Sequence, residues 1–592
     1  MRFPAIVIGG FIVMFAGECC AQAINWEIIN RFRVVKEESA NDRLISRLLA
    51  LRNVRTYTPL LVPSRNDGRI GSYLNKALMP VTWDERYEQY DLDWIHNRER
   101  SIRVELKNIP KDASCKWISN ADVLEGSSCE IREFKRAVGS VTNLRVEITK
   151  KGAVGPIVLR ETIVPQDLLV AALGDSLGSG EGNPHLKLVP NRGNPEGPLS
   201  YPAIWWDTRC HRSLMSSSAQ AAALLAERNT KQSVTYLSFS CSGAEIDEGI
   251  LEEYAGRQTI AQTRRLWELA DQPPQQDSTM NPNDTPKSLK SKLPSQINQL
   301  SSVLCPPKSK WEPSAECTVA AKLQPDVLII AIGGNDIGFG EIGRKILLSN
   351  PPTDHQRWQD EQQRNLEPAF DTLSRNFAKL SEVVRQRIQA KRVFLLEYMD
   401  PTMYSQRSGE DILCGQADGG ALTGLQKDFQ KQVNSHGDGR LVSASRNHSL
   451  YNLLLTKTES RFAHWVVSRL NETIRQAGGL TWASEPNERA TVVSLQDLRG
   501  PDGKRKGVCA ADSWFLGIFD SLNRQDWIPS DAIQAYPLKL SDDSDCSGEL
   551  RDGKCWVPAG NITSGILHPN FFGHYNAAVV ILKQIEKSLS AN

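Results

Sequence analysis

Val170-Ala-Ala-Leu-Gly-Asp-Ser-Leu-Gly-Ser-Gly-Glu-Gly182 starts as an apolar run and ends in a glycine-rich turn around a serine. Apolar residues without polar alternation mark a strand covered on both faces, as in a parallel sheet. Gly174, Gly178 and Gly180 permit a tight turn and a close approach to Ser176. Ligands of open α/β sheets bind outside the carboxyl ends of strands, which is where this serine falls. A serine at a strand end is also a common helix cap, so the stretch has meaning only with the rest of the chain.

From Asp167 onward apolar strands alternate with amphipathic helices, the texture of an α/β domain with a central parallel sheet. The strand candidates are Leu168–Leu173, Val234–Phe239, Val327–Ile332, Val393–Tyr398 and Thr491–Leu495. Leu366, Phe370, Leu373, Phe377, Leu380, Val384 and Ile388 recur every three or four residues, which predicts one helical face packed on that sheet. Ala578, Ile581, Leu582 and Ile585 predict the same for a last helix near Tyr575 to Leu589. The polar stretches 184–202 and 272–294 are too rich in Pro, Asn, Gln and Ser to form a core and read as surface insertions.

At 592 residues the chain exceeds one ordinary core, which stops growing near roughly 250–300 residues. Short alternating runs such as Arg145–Thr149 and Ile157–Ile163 predict a smaller, mainly-β accessory domain over 24–165, with 166–592 forming the α/β domain. Within the first, Leu44 to Leu51 reads as helical. Met1-Arg2, the apolar run Phe3 to Ala16 and the small-x-small site Ala21-Gln22-Ala23 predict a signal peptide over 1–23, and hence a secreted or periplasmic protein. The apolar run is short of the ~20 residues that span a bilayer, so no integral membrane segment is expected after cleavage. A net charge of +1 provides no field for nucleic acid.

Cleavage would leave ten cysteines, an even count that favours disulfides in an exported chain. Connectivity is open from sequence; pairing of nearest neighbours gives Cys115–Cys129, Cys210–Cys241, Cys305–Cys317, Cys414–Cys509 and Cys546–Cys555. The clustered spacing of a zinc site is absent, and neither metal nor cofactor is expected.

Three later segments fall after strands or before a helix. Phe239-Ser-Cys-Ser-Gly243 offers an unobstructed backbone N–H at Gly243, Gly333-Gly-Asn-Asp336 offers the Asn335 amide, and Leu567-His568 offers an imidazole. Each has an ordinary structural explanation. Together with Ser176 they supply a nucleophile, a base and oxyanion donors in loops that a parallel sheet gathers at one edge.

As an ordered set, Ser176, Gly243, Asn335 and His568 resemble the SGNH or GDSL hydrolases, over roughly residue 167 to the end. Ser179-Gly-Glu-Gly-Asn-Pro184, Cys210-His-Arg-Ser213 and Ser240-Cys-Ser-Gly243 resemble the secreted esterase and lipase branch typified by Streptomyces enzymes. The resemblance implies a flavodoxin-like three-layer sandwich and carboxylic ester hydrolysis, with Ser176 and His568 catalytic and the Ser176, Gly243 and Asn335 donors forming the oxyanion hole. It also implies the disulfides Cys210–Cys241, Cys305–Cys317 and Cys414–Cys509. The expected partner is a small-molecule or lipid ester, met by a monomer.

Gly174-Asp-Ser-Leu-Gly178 also fits the G-x-S-x-G elbow of α/β-hydrolases, but that architecture sets its serine after several strands and an upstream oxyanion loop. Here the serine follows the first strand of its domain and the donors come later. In one place the chain departs from the resemblance: three residues before His568, where the family commonly has Asp, stands Gly565. A catalytic imidazole needs an acceptor for its other N–H, and the backbone carbonyl of Gly565 is the expected one. Asp512 or the run Asp542–Asp545 are alternative carboxylates, and that run is also a candidate Ca²⁺ site. Trp205 and Trp206 are candidates to grip an acyl chain. Rival readings are a polysaccharide O-acetyl esterase with an N-terminal binding module, and a non-catalytic adhesion protein on a hydrolase scaffold.

Overall fold

The computed structural model describes residues 22–36, 46, 82–84, 87–110, 112–120, 128–150, 152, 154–185, 203–257, 292–314, 316–348, 354–415, 455–483, 489–517, 549–551, 554–556 and 565–590. The leader through 21, the Leu44–Leu51 helix (apart from residue 46), most of both polar insertions, Asp542–Asp545 and Cys546 lie outside them.

The chain divides into two units, one comprising residues up to Ile29 with Arg98–Gln166, the other Asn30–Asn97 with Asp167 onward. The smaller unit holds two three-stranded antiparallel sheets. Glu99–Lys107 and Thr142–Lys150 are their middle strands, and every second residue turns inward. Trp26, Ile102, Val104, Trp117, Val146 and Ile148 thereby share one apolar core, stapled by Cys115–Cys129.

In the larger unit five strands form the central sheet: β1 (Gln166–Gly174), β2 (Gln232–Ser238), β3 (Val327–Ala331), β4 (Val393–Leu396) and β5 (Thr491–Val493). Their order is β2-β1-β3-β4-β5, and the β1–β3, β3–β4 and β4–β5 pairings are parallel. The order reverses between β1 and β3, and such a switch point opens a crevice at the strand ends. All five residues of β3 are buried. Helices supply the covering layers through their apolar stripes. Helix α1 (Ser176–Ser179) is a single turn, α2 (Ser217–Arg228) packs with the terminal α7 (Phe571–Ser590), and α5 (His355–Arg387) packs with α6 (Lys457–Gly478). Between them in sequence lie α3 (Gln296–Leu304) and α4 (Phe339–Leu348). Phe370, Leu373, Phe377, Leu380, Val384 and Ile388 are buried along α5, on the face that the periodicity specifies.

An accessory domain was expected over 24–165; the described part of Asn30–Asn97 groups with the larger unit. Phe32 bridges Val234 of β2 in parallel. The Tyr90 phenol accepts from the Ser238 N–H at 2.7 Å and donates to the Ser238 carbonyl at 2.9 Å, serving as a strand partner at the end of β2. Its ring packs edge-on against Phe239, Trp206 and Trp83. Pairing of this kind joins residues about 150 apart and leaves no periodicity to read.

Among the described residues four disulfides join nearest cysteines, Cys115–Cys129, Cys210–Cys241, Cys305–Cys317 and Cys414–Cys509; Cys546 of the expected Cys546–Cys555 pair lies outside them. Among the described residues no helix is long and apolar enough to cross a membrane.

Candidate active site

The Ser176 loop is built where β1 stops. Gly174 adopts φ +152°, and a Cβ there would lie 2.2 Å from the Ala331 carbonyl of β3, so only glycine fits. Asp175 caps α1 by accepting from the Leu177 N–H at 2.9 Å, which sets Ser176 as the first helical residue. Gln296 of α3 grips the strand end from the side. Its Oε1 accepts from Gly174 N–H and its Nε2 donates to the Gly174 carbonyl, both at 2.8 Å.

His568 arrives from the other end of the chain. Leu516 donates to the His568 carbonyl at 2.9 Å and accepts from Leu567 at 3.1 Å. The intervening Leu567 is held at φ +62°, a left-handed conformation that costs a branched side chain roughly 1–2 kcal/mol. Strain of this kind is retained where surrounding contacts fix it, commonly at functional sites. Asn183 Nδ2 donates to the Pro569 carbonyl at 2.9 Å and ties this loop to the Ser176 loop.

His568 Nε2 lies 2.7 Å from Ser176 Oγ, a hydrogen bond between residues 392 apart. On the far side of the ring Nδ1 lies 3.2 Å from the Ile566 carbonyl. The Gly565 carbonyl accepts from the backbone N–H of His568 at 3.2 Å, and both it and the Ile566 carbonyl favour a proton on the ring. Among the described alternatives, Asp512 binds Lys506 Nζ at 2.7 Å. Burial pulls His568 below its ordinary basicity; the Glu181 carboxylate draws it up, and Arg257 pushes it down. The net effect favours the neutral ring, and its partners suit a donor at Nδ1 and an acceptor at Nε2.

The other two loops meet each other. Asn335 opens a 3₁₀ turn after β3, and its Nδ2 donates to the Ala244 carbonyl at 2.9 Å. A primary amide has two N–H groups, so this contact orients the side chain while using one of them. Asp336 accepts from the Ile246 N–H at 3.1 Å. Gly243 sits at φ +87°, and a Cβ there would come within 2.3 Å of the Tyr254 hydroxyl, which itself donates to the Ser242 carbonyl at 2.9 Å. Cys210–Cys241 anchors this segment, and Cys241 donates to the Gly174 carbonyl at 2.9 Å.

Tyr398, which no sequence motif singled out, joins two of these loops. Its hydroxyl donates to Asp175 Oδ2 and accepts from the Gly334 N–H at 2.9 Å. Burial pushes the Asp175 carboxyl up to about 6, against the opposing Tyr398 hydrogen bond, and pushes Asp336 up to about 7. The tryptophan pair is not an acyl grip: Trp205 stacks on His211 with centroids 4.4 Å apart, Trp206 packs on Tyr90 and Tyr236, and both are buried. A small apolar pocket lies between α4 and α6, lined by Phe339, Ile342, Ile346, Val466, Val467 and Leu567.

Three solved structures are similar to this chain. An extracellular lipase from Streptomyces rimosus shares 14% identity over 71% of this chain and 99% of that one, with a TM-score of 0.32. A phospholipase A1 from Streptomyces albidoflavus shares 13% over 70% and 98%, with a TM-score of 0.29. A family two carbohydrate esterase from Clostridium thermocellum shares 12% over 83% and 93%, with a TM-score of 0.23. No protein-family model and no curated protein matches the sequence. The functional reading rests on the residues of the site rather than on these likenesses.

Proposed function

We propose that the chain is a serine hydrolase of the SGNH type, with its three-layer flavodoxin-like sandwich, that cleaves carboxylic esters through an acyl-enzyme on Ser176. The observation that carries this reading is the 2.7 Å contact between His568 Nε2 and Ser176 Oγ at the end of the first sheet strand. Nucleophile and base within hydrogen-bond reach, with the base oriented by a third group, are the requirement for nucleophilic catalysis.

His568 Nε2 takes the Ser176 proton as Oγ attacks the ester carbonyl carbon. The π electrons move to the carbonyl oxygen, whose negative charge meets the Ser176 and Gly243 N–H groups and the second N–H of Asn335. The imidazolium returns the proton to the leaving alkoxide as the C–O bond breaks, releasing the alcohol. Water then attacks the acyl-enzyme with His568 as base, and the acid departs. Secretion, a monomeric state and the absence of any cofactor complete the proposal.

Hydrolysis of p-nitrophenyl esters from acetate to palmitate tests it. Activity lost in Ser176→Ala is the expected result; an equally active Ser176→Ala protein overturns it.

A further inference from the structure

The mechanism above leaves the Glu181 carboxylate unused. Glu181 is fully buried, and its backbone N–H bonds the Ser176 carbonyl at 3.1 Å. Both carboxylate oxygens lie 3.0 Å from Nδ1 of His211, whose ring is held flat on Trp205. The residues after Glu181 press on the catalytic histidine loop: a Cβ on Gly182 would sit 3.7 Å from Gly565 Cα, and Asn183 bonds Pro569. A carboxylate buried at this depth costs several kcal/mol of desolvation unless it is paired, so fixing one here needs a compensating partner and a reason.

The reason lies in the missing aspartate. Gly565 offers no charge, and the Ile566 carbonyl offers only a dipole to Nδ1. The charged and titratable groups that bear on His568 are Glu181, which attracts a proton to it, Arg257, which repels one more weakly, Ser176 on Nε2, and the buried neutral His574.

We infer that Glu181 is a positioning residue for the Ser176–His568 reaction: its buried charge, fixed by His211, stabilises the imidazolium that forms as Ser176 gives up its proton. The inference rests on the dyad reading given above. Glu181 touches neither substrate nor Ser176 Oγ; it acts through the imidazole, across the nucleophile loop, in place of the carboxylate that a triad holds in direct contact.

Glu181→Gln keeps the volume and removes the charge. Without the charge the imidazolium is less favourable, so the acid limb of kcat/KM moves to lower pH while kcat falls roughly tenfold, with KM little changed. Glu181→Asp, which restores a charge, moves the limb back towards wild type. Where Glu181→Gln does not fold, Arg257→Gln carries the test: removing the opposing charge moves the limb to higher pH. A folded Glu181→Gln protein with the wild-type limb and kcat overturns the inference, as does an unshifted limb in Arg257→Gln where that variant carries the test. Failure of the dyad reading is separate, because the wild-type enzyme would then lack Ser176-dependent hydrolysis altogether.

Discussion

Gln296 and Gly174 are joined by two buried hydrogen bonds that hold the end of β1 open to the crevice, with the Gln296 amide pairing both backbone groups of the glycine. In Gln296→Leu the Gly174 N–H loses its partner, and an orphaned buried group costs about 1–3 kcal/mol. The expected outcome is a lower denaturation midpoint at unchanged m-value, together with reduced kcat because Ser176 loses its lateral support. Urea titration and ester hydrolysis check the two effects.

Gly243 is expected to tolerate no side chain. Gly243→Ala meets the Tyr254 hydroxyl and a positive φ at once, and the strain is of order 1–3 kcal/mol. Tyr254→Phe clears the hydroxyl but not the φ, so the double variant recovers only part of the stability lost. By contrast Asn335→Ala is expected to leave the thermal midpoint near wild type and to lower kcat by roughly 10²–10³, the usual loss of an oxyanion donor.

Acid stability is expected to bear the mark of His574. Burial drives this ring down to about 3, while the unfolded chain binds a proton near an ordinary pKa of about 6.5. Below about 6.5 the unfolded state therefore binds more protons, and stability falls with pH until the folded ring titrates. The slope is about 1.4 kcal/mol per pH unit for this one group. Buried Asp175 and Asp336 act oppositely, since their raised carboxyls gain protons first in the folded state. They are common to both proteins in a comparison of wild type with His574→Gln, whose stability between pH 6 and 4 should decline less steeply.

Much of the site was legible because its groups are local events in the chain. The apolar runs end within two residues of the sheet strands, and Ser176, Gly243, Asn335 and His568 each lie near such an end or beside a helix. The contacts missed were those that join distant segments. Tyr90 partners β2 and Gln296 grips Gly174 across the fold, and nothing in their surroundings distinguishes them from other buried polar residues. A main-chain oxygen near Gly565 was expected to orient His568, and spacing alone did not specify that the Ile566 carbonyl lies 3.2 Å from Nδ1. Glu181 stood in plain view in the glycine-rich turn, where its charge gave no sign that it would be buried against His211.

Reaction of the wild-type protein with a fluorophosphonate probe, followed by mass spectrometry of the peptides, tests the central account most directly. One adduct is expected on the peptide that carries Ser176, absent in Ser176→Ala and formed much more slowly in His568→Ala. A folded wild-type protein that remains unlabelled, or that carries the adduct undiminished in Ser176→Ala, would contradict it.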